Sequence, residues 1–107
     1  SMGIEETGLE MLIKKAYSLL DLISFFTTTG KKEVRAWTLR RGETALRASG
    51  TIHTDFEKKF IKAEVVSFEN FVKYGGWKGA REKGKARMEG RDYVMEDGDV
   101  VEFKIGQ

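Results

Sequence analysis

The chain has 107 residues, of which 40% are hydrophobic and 34% charged, an ordinary composition for one folded domain. It has no cysteine, which excludes disulfides, thiolate metal sites and a cysteine nucleophile. No apolar run approaches the ~18 residues that a membrane-spanning helix needs, and no signal peptide opens the chain, so we expect a cytoplasmic protein. The net charge of +2 is too small to indicate nucleic-acid binding by itself.

The first segment predicts an amphipathic helix over residues 8–22. Thr7 and Glu10 have the spacing of a capping box. The apolar residues that follow at helical spacing are Leu9, Leu12, Ile13, Ala16, Leu19 and Leu20. A helix of this length is marginal alone, so its apolar stripe needs a partner. We expect that partner to be a preceding domain, the alternatives being the rest of this chain or a second copy; Ser1-Met2 resembles a cloning scar, and we expect an excised fragment.

The remainder predicts alternating strands and short helices. Strands are predicted over residues 24–29, 34–39 and 60–68, near 86–89 and 92–95, and over 100–105. Short helices are predicted over 45–49, ended by Gly50, over 67–72, stopped by Gly75-Gly76, and over 80–83, ended by Gly84, with a turn at 55–60. The segment 30–32 is predicted to join the first two strands. This order favours an α+β fold with a helix packed across a mixed, curved sheet.

Alternation within the third predicted strand assigns its residues to two sides. Ile61, Ala63 and Val65 are predicted to lie on one face and Lys62 and Glu64 on the other. The apolar face should contact the core.

A glycine-rich segment at residues 79–86 fits the spacing of a phosphate-binding loop. That loop requires a Ser or Thr after its lysine, to hold magnesium, and a buried hydrophobic strand before it. Ala86 occupies the hydroxyl position, and the preceding segment 73–78 is not a hydrophobic strand. The charged residues inside the segment are more typical of a solvated helical turn, so we predict no nucleotide site there.

The acidic turn and the single histidine also favour structural roles. Asp97-Gly98 lies between two apolar segments, which is typical of a hairpin turn, and the ligands of a calcium loop are missing. His53, Thr54 and Asp55 are adjacent, and adjacent residues cannot form a catalytic relay. We expect Thr54 or Asp55 to cap the following helical turn and His53 to bond to the backbone.

Residues 78–91 are the main candidate for contact with RNA. Six basic and two acidic side chains give this segment a net charge of +4. The candidate contact residues are Lys78, Arg81, Lys83, Lys85, Arg87 and Arg91. Trp77 precedes the segment and Tyr93 follows it, and basic side chains beside exposed aromatic rings can hold an RNA backbone and stack bases. The simpler interpretation is that this is a solvated face and that Trp77 belongs to the core.

A second, weaker basic candidate lies on the first two strands. Its residues are Lys31, Lys32, Arg35, Arg40 and Arg41. Residues that alternate along a strand point to opposite sides, so Arg35 is expected to face away from the others.

Several ordered segments together resemble the TGS domain, a ubiquitin-like β-grasp module, in the form found in the Obg-like ATPase (YchF) family. The segments that carry the resemblance are 32–38, 52–65, 84–85, 88–94 and 97–100. The resemblance implies residues 24–107 as the TGS domain. It also implies that residues 1–23 comprise the cloning scar and the terminal helix of a preceding nucleotide-binding domain.

The resemblance implies a role for the parent protein. Members of this family are cytoplasmic P-loop ATPases that use ATP better than GTP, require magnesium, associate with ribosomes and are tied to redox or stress responses and translation. Their phosphate loop and switch regions lie upstream, so we expect this chain to hold no catalytic residue, cofactor or metal and not to be an enzyme. We expect it to dock on RNA or the ribosome. The alternative is a regulatory protein-interaction module that controls the parent ATPase without RNA contact.

Overall fold

A computed structural model of the chain describes residues 7–29 and 33–107. The helices are α1 Gly8–Leu20, α2 Ala45–Ile52, α3 Phe56–Lys59, α4 Phe68–Lys73 and α5 Trp77–Glu82. The strands are β1 Leu22–Thr29, β2 Glu33–Arg40, β3 Phe60–Ser67, β4 Arg87–Glu89 and β5 Asp99–Ile105. The predicted connection at residues 30–32 lies outside the described residues.

Five strands form one mixed sheet in the order β2-β1-β5-β3-β4. β1 pairs antiparallel with β2 and parallel with β5, and β3 lies antiparallel to both β5 and β4. The chain therefore returns from one side of the sheet to the other through the helices that follow β2. The α+β class, with a mixed sheet and packed helices, is confirmed.

Each face of the sheet carries a buried apolar cluster, since successive side chains of a strand point to opposite sides. On one face Phe25, Val65 and Val101 pack against α2 and are fully buried. On the other face Val66 and Val100 pack against Ala80 of α5, with Trp77 half-buried beside them. The two helical layers thus hold the sheet between them, and α5 reaches the surface on the second face.

The pattern of β3 corrects the predicted alternation. Ile61 is 60% exposed, and Glu64, predicted on the polar side, is 3% exposed. The pairing of β3 with β5 shifts register between Phe60 and Lys62, which displaces Ile61 from the core. Glu64 is buried because the sheet face that it occupies is covered by α5.

Other predicted boundaries are also wrong: α1 ends at Leu20 and not at residue 22, and α5 begins at Trp77 and not at residue 80. Gly50 lies inside α2 and does not end the helix, and a Cβ atom there would meet only the flexible side chain of Glu57. The strand predicted at 92–95 is reduced to a single bridge between Thr44 and Val94. β5 pairs with β1 and β3 instead, so Asp97-Gly98 forms a turn, as predicted, but closes no hairpin.

α1 is attached to the rest of the chain near its C-terminal end. The Tyr17 hydroxyl lies 2.9 Å from Thr38 Oγ1, and Arg41 forms an ion pair with Asp21. The helix ends at Leu20 because Asp21 takes a left-handed conformation with a φ of 57°. No residue of α1 is buried, and Leu19 is 75% exposed. The apolar stripe therefore does not pack on the rest of the chain, and none of the described helices is long and apolar enough to cross a membrane.

Candidate nucleic-acid interface

Glycines fix the position of α5, the helix that carries the first candidate residues. Gly75 and Gly76 both have positive φ, 77° and 114°, a conformation that side chains disfavour. Gly79 lies so close to the preceding turn that a Cβ atom would stand 1.7 Å from the carbonyl oxygen of Tyr74. The first glycine of the phosphate-loop pattern is therefore a packing residue inside a helix, and the predicted helical turn is confirmed.

Arg81 is held by an internal carboxylate. Its Nε and Nη2 atoms donate to the two carboxylate oxygens of Glu64 at 2.8 and 2.7 Å. The Glu64 side chain is 4% exposed and Arg81 is 48% exposed. The hydrogen bonds from Arg81 hold the pKa of Glu64 below its ordinary value, against the opposing effect of burial. Arg81 thus neutralises a buried charge, and two of its donor groups are already engaged.

Arg87 belongs to a second internal network. It forms an ion pair with Glu89 at 2.9 Å and donates to the Tyr93 hydroxyl at 2.7 Å. Tyr93 in turn donates to Asp99 Oδ2 at 2.7 Å, which also accepts from the backbone N–H of Glu96. Burial raises the pKa of both Tyr93 and Asp99. Arg87 therefore balances a buried acidic group.

The six candidate residues do not form one patch. Arg87 lies directly opposite Val65, which belongs to the core under α2, whereas Arg81 reaches Glu64 on the α5 face. The backbone carbonyl of Arg91 accepts from Leu46 of α2, which places it near the first face. The exposed basic side chains that remain near α5 are Lys78, Lys83 and Lys85. In the part of the chain that the structure describes, none of the three has an ion pair or hydrogen bond through its side chain.

Neither flanking aromatic residue is an exposed stacking surface. Trp77 packs edge-on against Phe71, with ring centroids 5.6 Å apart, and its Nε1 donates to Thr28 Oγ1 at 3.0 Å. Tyr93 is half-buried and bonded at its hydroxyl, as described above. Trp77 packs against the core, as the alternative interpretation predicted, and base stacking on the two rings stays a prediction.

The acidic turn and the histidine have structural partners. Asp97 Oδ1 accepts from the backbone N–H of Ser24 at 2.8 Å. His53 Nδ1 accepts from the N–H of Asp55 at 3.1 Å, which confirms that the histidine bonds to the backbone. Of the two residues predicted to cap the following turn, Thr54 or Asp55, Asp55 occupies the N-cap position but makes no capping bond with its side chain. Among residues 7–29 and 33–107, no three His, Cys, Asp or Glu side chains are placed to hold a metal ion.

The second basic candidate is also divided. Lys31 and Lys32 lie outside the described residues. Arg41 is paired with Asp21, and Arg35 lies over the ring of Trp37, with its guanidinium carbon 4.2 Å from the centroid. Arg35 shares a face with Trp37, and Arg40 points to the other, because odd and even positions of β2 face opposite sides. The sequence analysis did not predict that Glu64 is the buried partner of Arg81. The only signal for this role in the sequence is an acidic residue between two apolar ones, in Ala63-Glu64-Val65.

Known proteins resemble almost the whole chain. The family model YchF-GTPase_C, described as "Protein of unknown function (DUF933)", matches residues 22–106. The "Ribosome-binding ATPase YchF" of Haemophilus influenzae is 53% identical over 104 residues, covering 97% of this chain and 28% of the relative. The protein with that name from Escherichia coli O157:H7 is 55% identical over 102 residues, covering 95% of this chain and 28% of the relative.

A solved structure shows the same fold. The Schizosaccharomyces pombe YchF GTPase matches with a TM-score of 0.83 and 40% identity, covering 92% of this chain and 26% of that protein. The chain spans little more than a quarter of the length of these relatives. The family match begins at residue 22, after the end of α1. The chain belongs to the YchF-GTPase_C family.

Proposed function

We propose that this chain is the TGS recognition domain of a ribosome-binding ATPase and that it docks the parent protein on RNA. The single observation that carries the proposal is a group of exposed lysines, Lys78, Lys83 and Lys85, whose side chains have no partner within residues 7–29 and 33–107, while the neighbouring arginines do. The ribosome as binding partner is supported by the relatives named "Ribosome-binding ATPase YchF". The sheet order β2-β1-β5-β3-β4, with β1 and β5 parallel, supports the β-grasp assignment.

The rest of the parent protein would supply the chemistry. We propose that residues 24–107 form the docking domain and that α1, which precedes the family match, belongs to the adjoining nucleotide-binding domain. ATP, magnesium and the hydrolytic residues would then lie outside this chain, in a cytoplasmic protein. The relatives named as ATPases and the fraction of their length that this chain spans support this division.

Electrostatics would dominate the contact with RNA. An ammonium group that neutralises a phosphate releases a counterion, and binding weakens as salt rises. Three such lysines predict a logarithmic salt slope of about 2 for single-stranded RNA, since each contributes roughly 0.7. The lysines occupy α5 and the turn after it, where Ala80 and Trp77 anchor the helix to the core. The cations are therefore presented on a fixed support.

Reversing two of these charges tests the proposal. We expect the double substitution Lys83→Glu and Lys85→Glu to abolish salt-sensitive co-sedimentation of this chain with purified ribosomes. The matched control is Lys58→Glu with Lys59→Glu, two exposed lysines on α3 that should leave binding near normal. Thermal unfolding of both variants confirms that they are folded. Unchanged binding of the folded Lys83/Lys85 variant would exclude this surface, and no binding of the native chain at low salt would exclude docking by this domain.

The regulatory alternative makes a different prediction for the parent protein. If this domain only docks RNA, its removal should leave ATP turnover near normal and reduce ribosome association. A regulatory module would alter turnover when removed, whatever the salt concentration. Measuring both quantities on the truncated parent separates the two functions.

The exposed stripe of α1 predicts concentration-dependent self-association of the isolated chain. Leu9, Leu12 and Leu19 are each more than 60% exposed, and contiguous apolar surface of this kind normally marks an interface. We expect Leu12→Glu to shift the chain toward monomer in analytical ultracentrifugation. The matched control is Lys15→Glu, an exposed position of the same helix. A native chain that stays monomeric at high micromolar concentration would contradict the prediction.

A further inference from the structure

A cavity of about 370 Å³ lies between the sheet and the helices α2 and α3, away from α5. Its volume is within the ordinary range for small-molecule sites. We call it the aromatic cavity and define it by the residues Thr27, Arg35, Trp37, Ile52, Phe56 and Phe103. None of these residues belongs to the lysine surface described above.

The aromatic cavity exists because two neighbouring strands separate. The parallel pairing of β1 with β5 stops at Thr27 and Val101. Beyond that point β1 continues along β2 to Thr29, and β5 continues along β3 to Ile105. The strands diverge, and Ile52 and Phe56 form the helical wall over the gap. The opening is thus a consequence of the sheet topology.

The wall of the cavity is planar and fixed. Trp37 Nε1 donates to Thr27 Oγ1 at 2.8 Å, and the indole lies nearly parallel to the buried Phe25, with ring centroids 6.5 Å apart. Phe103 meets Phe25 edge-on at 6.3 Å. Rings held in this way lose little freedom when a ligand binds. They are suited to an aromatic ligand, which prefers to stack on or against the edge of other rings.

The positively charged side chain of Arg35 lies next to this aromatic wall. The guanidinium of Arg35 lies 4.2 Å above the Trp37 ring, it is exposed, and it has no carboxylate partner among the described residues. The cavity also contains a carboxylate, Glu102, but its charge is offset by an ion pair with Lys104. A ligand that joins a planar aromatic group to an anion would satisfy both the apolar wall and Arg35.

We propose that the aromatic cavity binds one unpaired nucleotide, with its base against Trp37 and its phosphate at Arg35. Aromatic rings and guanidinium planes are the surfaces on which proteins stack unpaired bases. A peptide side chain would fill the apolar part but would leave the cation without an anion. The nucleotide is either a free mononucleotide or one residue of a single-stranded RNA. The proposal does not depend on the lysine surface, which lies on the other side of the sheet.

NMR spectroscopy of the ¹⁵N-labelled chain tests the proposal. AMP and a short unstructured oligoadenylate are expected to shift the Trp37 indole and the Phe103 amide saturably, while the amides of α5 stay in place. Inorganic phosphate should shift neither group, and adenosine should bind more weakly than AMP. Tighter binding of the oligonucleotide than of AMP would identify RNA as the source, and the reverse order would identify the free nucleotide.

Two arginine variants separate this site from general charge effects. We expect Arg35→Ala to weaken AMP binding at least tenfold and to leave adenosine binding unchanged. Arg40→Ala, on the same strand but the opposite face, should bind AMP like the native chain. The Lys83→Glu/Lys85→Glu variant should also bind AMP normally, which keeps this result distinct from the ribosome test.

Three results would overturn the proposal. The first is the absence of any Trp37 shift at millimolar AMP and oligonucleotide. The second is an equal shift with inorganic phosphate, which would show a simple anion effect. The third is saturable binding of N-acetyltryptophanamide without binding of AMP, which would identify the occupant as an aromatic side chain of a protein.

Discussion

Truncation of Phe25 to alanine is expected to lower the free energy of unfolding by about 3–5 kcal/mol. Phe25 is fully buried at the centre of the core under α2. Its ring lies parallel to Trp37 and meets the edge of Phe103, so its removal deletes contacts to two strands. The β1 strand lies between β2 and β5 in the sheet and is hydrogen-bonded to both, so it cannot easily move to fill the space.

Urea unfolding followed by tryptophan fluorescence measures this loss. A domain of this size has a total stability of about 5–15 kcal/mol, so the variant should unfold at a much lower urea concentration. Val94→Ala is the control, because Val94 is 51% exposed and its truncation should change stability by less than about 0.5 kcal/mol. A loss below about 1 kcal/mol for the Phe25 variant would show that the core repacks around the missing ring.

Local signals in the sequence predicted the order of the elements. Thr7, Thr44 and Ser67 each accept a hydrogen bond from the backbone N–H three residues later, as expected of residues that begin helices. Alternation along residues 34–39 predicted β2, and the apolar run after Asp97-Gly98 predicted β5. These features depend on neighbouring residues only, which is why one sequence was sufficient to predict them.

Pairings between distant residues were not predictable in this way. Arg81 meets Glu64 across 17 positions, and Trp77 meets Thr28 across 49. The periodicity of β3 assigned Glu64 to the polar side, because no pattern within that strand indicates that a later helix covers its second face.

Contacts between distant residues also explain why the predicted basic segment does not form one surface. Along the sequence, residues 78–91 form one basic segment, but α5 and β4 direct their side chains to opposite sides of the sheet. Of the six residues, Arg81 neutralises the buried Glu64, and Arg87 pairs with Glu89 and is linked through Tyr93 to the buried Asp99. The aromatic cavity was not predicted, since its residues come from three strands and two helices. Charge counted along a chain therefore overstates an interface when the folded protein has internal acids to balance.

Removal of the Arg81 side chain is expected to lower the free energy of unfolding by about 2–3 kcal/mol at neutral pH. Arg81→Ala would leave the Glu64 carboxylate buried without its two strongest hydrogen bonds. Lys104, whose Nζ lies 4.0 Å from Glu64, offsets part of this loss, and the half-exposed position of Arg81 screens the pair. Lys83→Ala, an exposed neighbour without an ionic partner in the described chain, should change stability by less than about 0.5 kcal/mol.

The pH dependence of this loss identifies its cause. The folded-state pKa of Glu64 lies below its ordinary value of 4.5, so the stabilisation is complete above that pH and is lost as the pH falls through the folded pKa. Without Arg81, burial raises the pKa of Glu64 relative to the native chain, so the difference between the two proteins should shrink as the pH falls from neutral toward the folded pKa of native Glu64. Asp99 contributes equally to the pH dependence of unfolding in both proteins, so its contribution cancels in the difference. Urea unfolding from pH 3 to pH 7 measures this difference, and one that is independent of pH would contradict the assignment to Glu64.

The same variant separates the structural role of Arg81 from an RNA contact. Assayed at a temperature where it is fully folded, Arg81→Ala should bind ribosomes nearly as well as the native chain, because its guanidinium is occupied by Glu64. Arg81→Lys should recover only part of the lost stability, since an ammonium group cannot form the two parallel bonds. If Arg81→Ala lost ribosome binding as completely as Lys83→Glu/Lys85→Glu while retaining native stability, Arg81 would belong to the contact surface and not to the support beneath it.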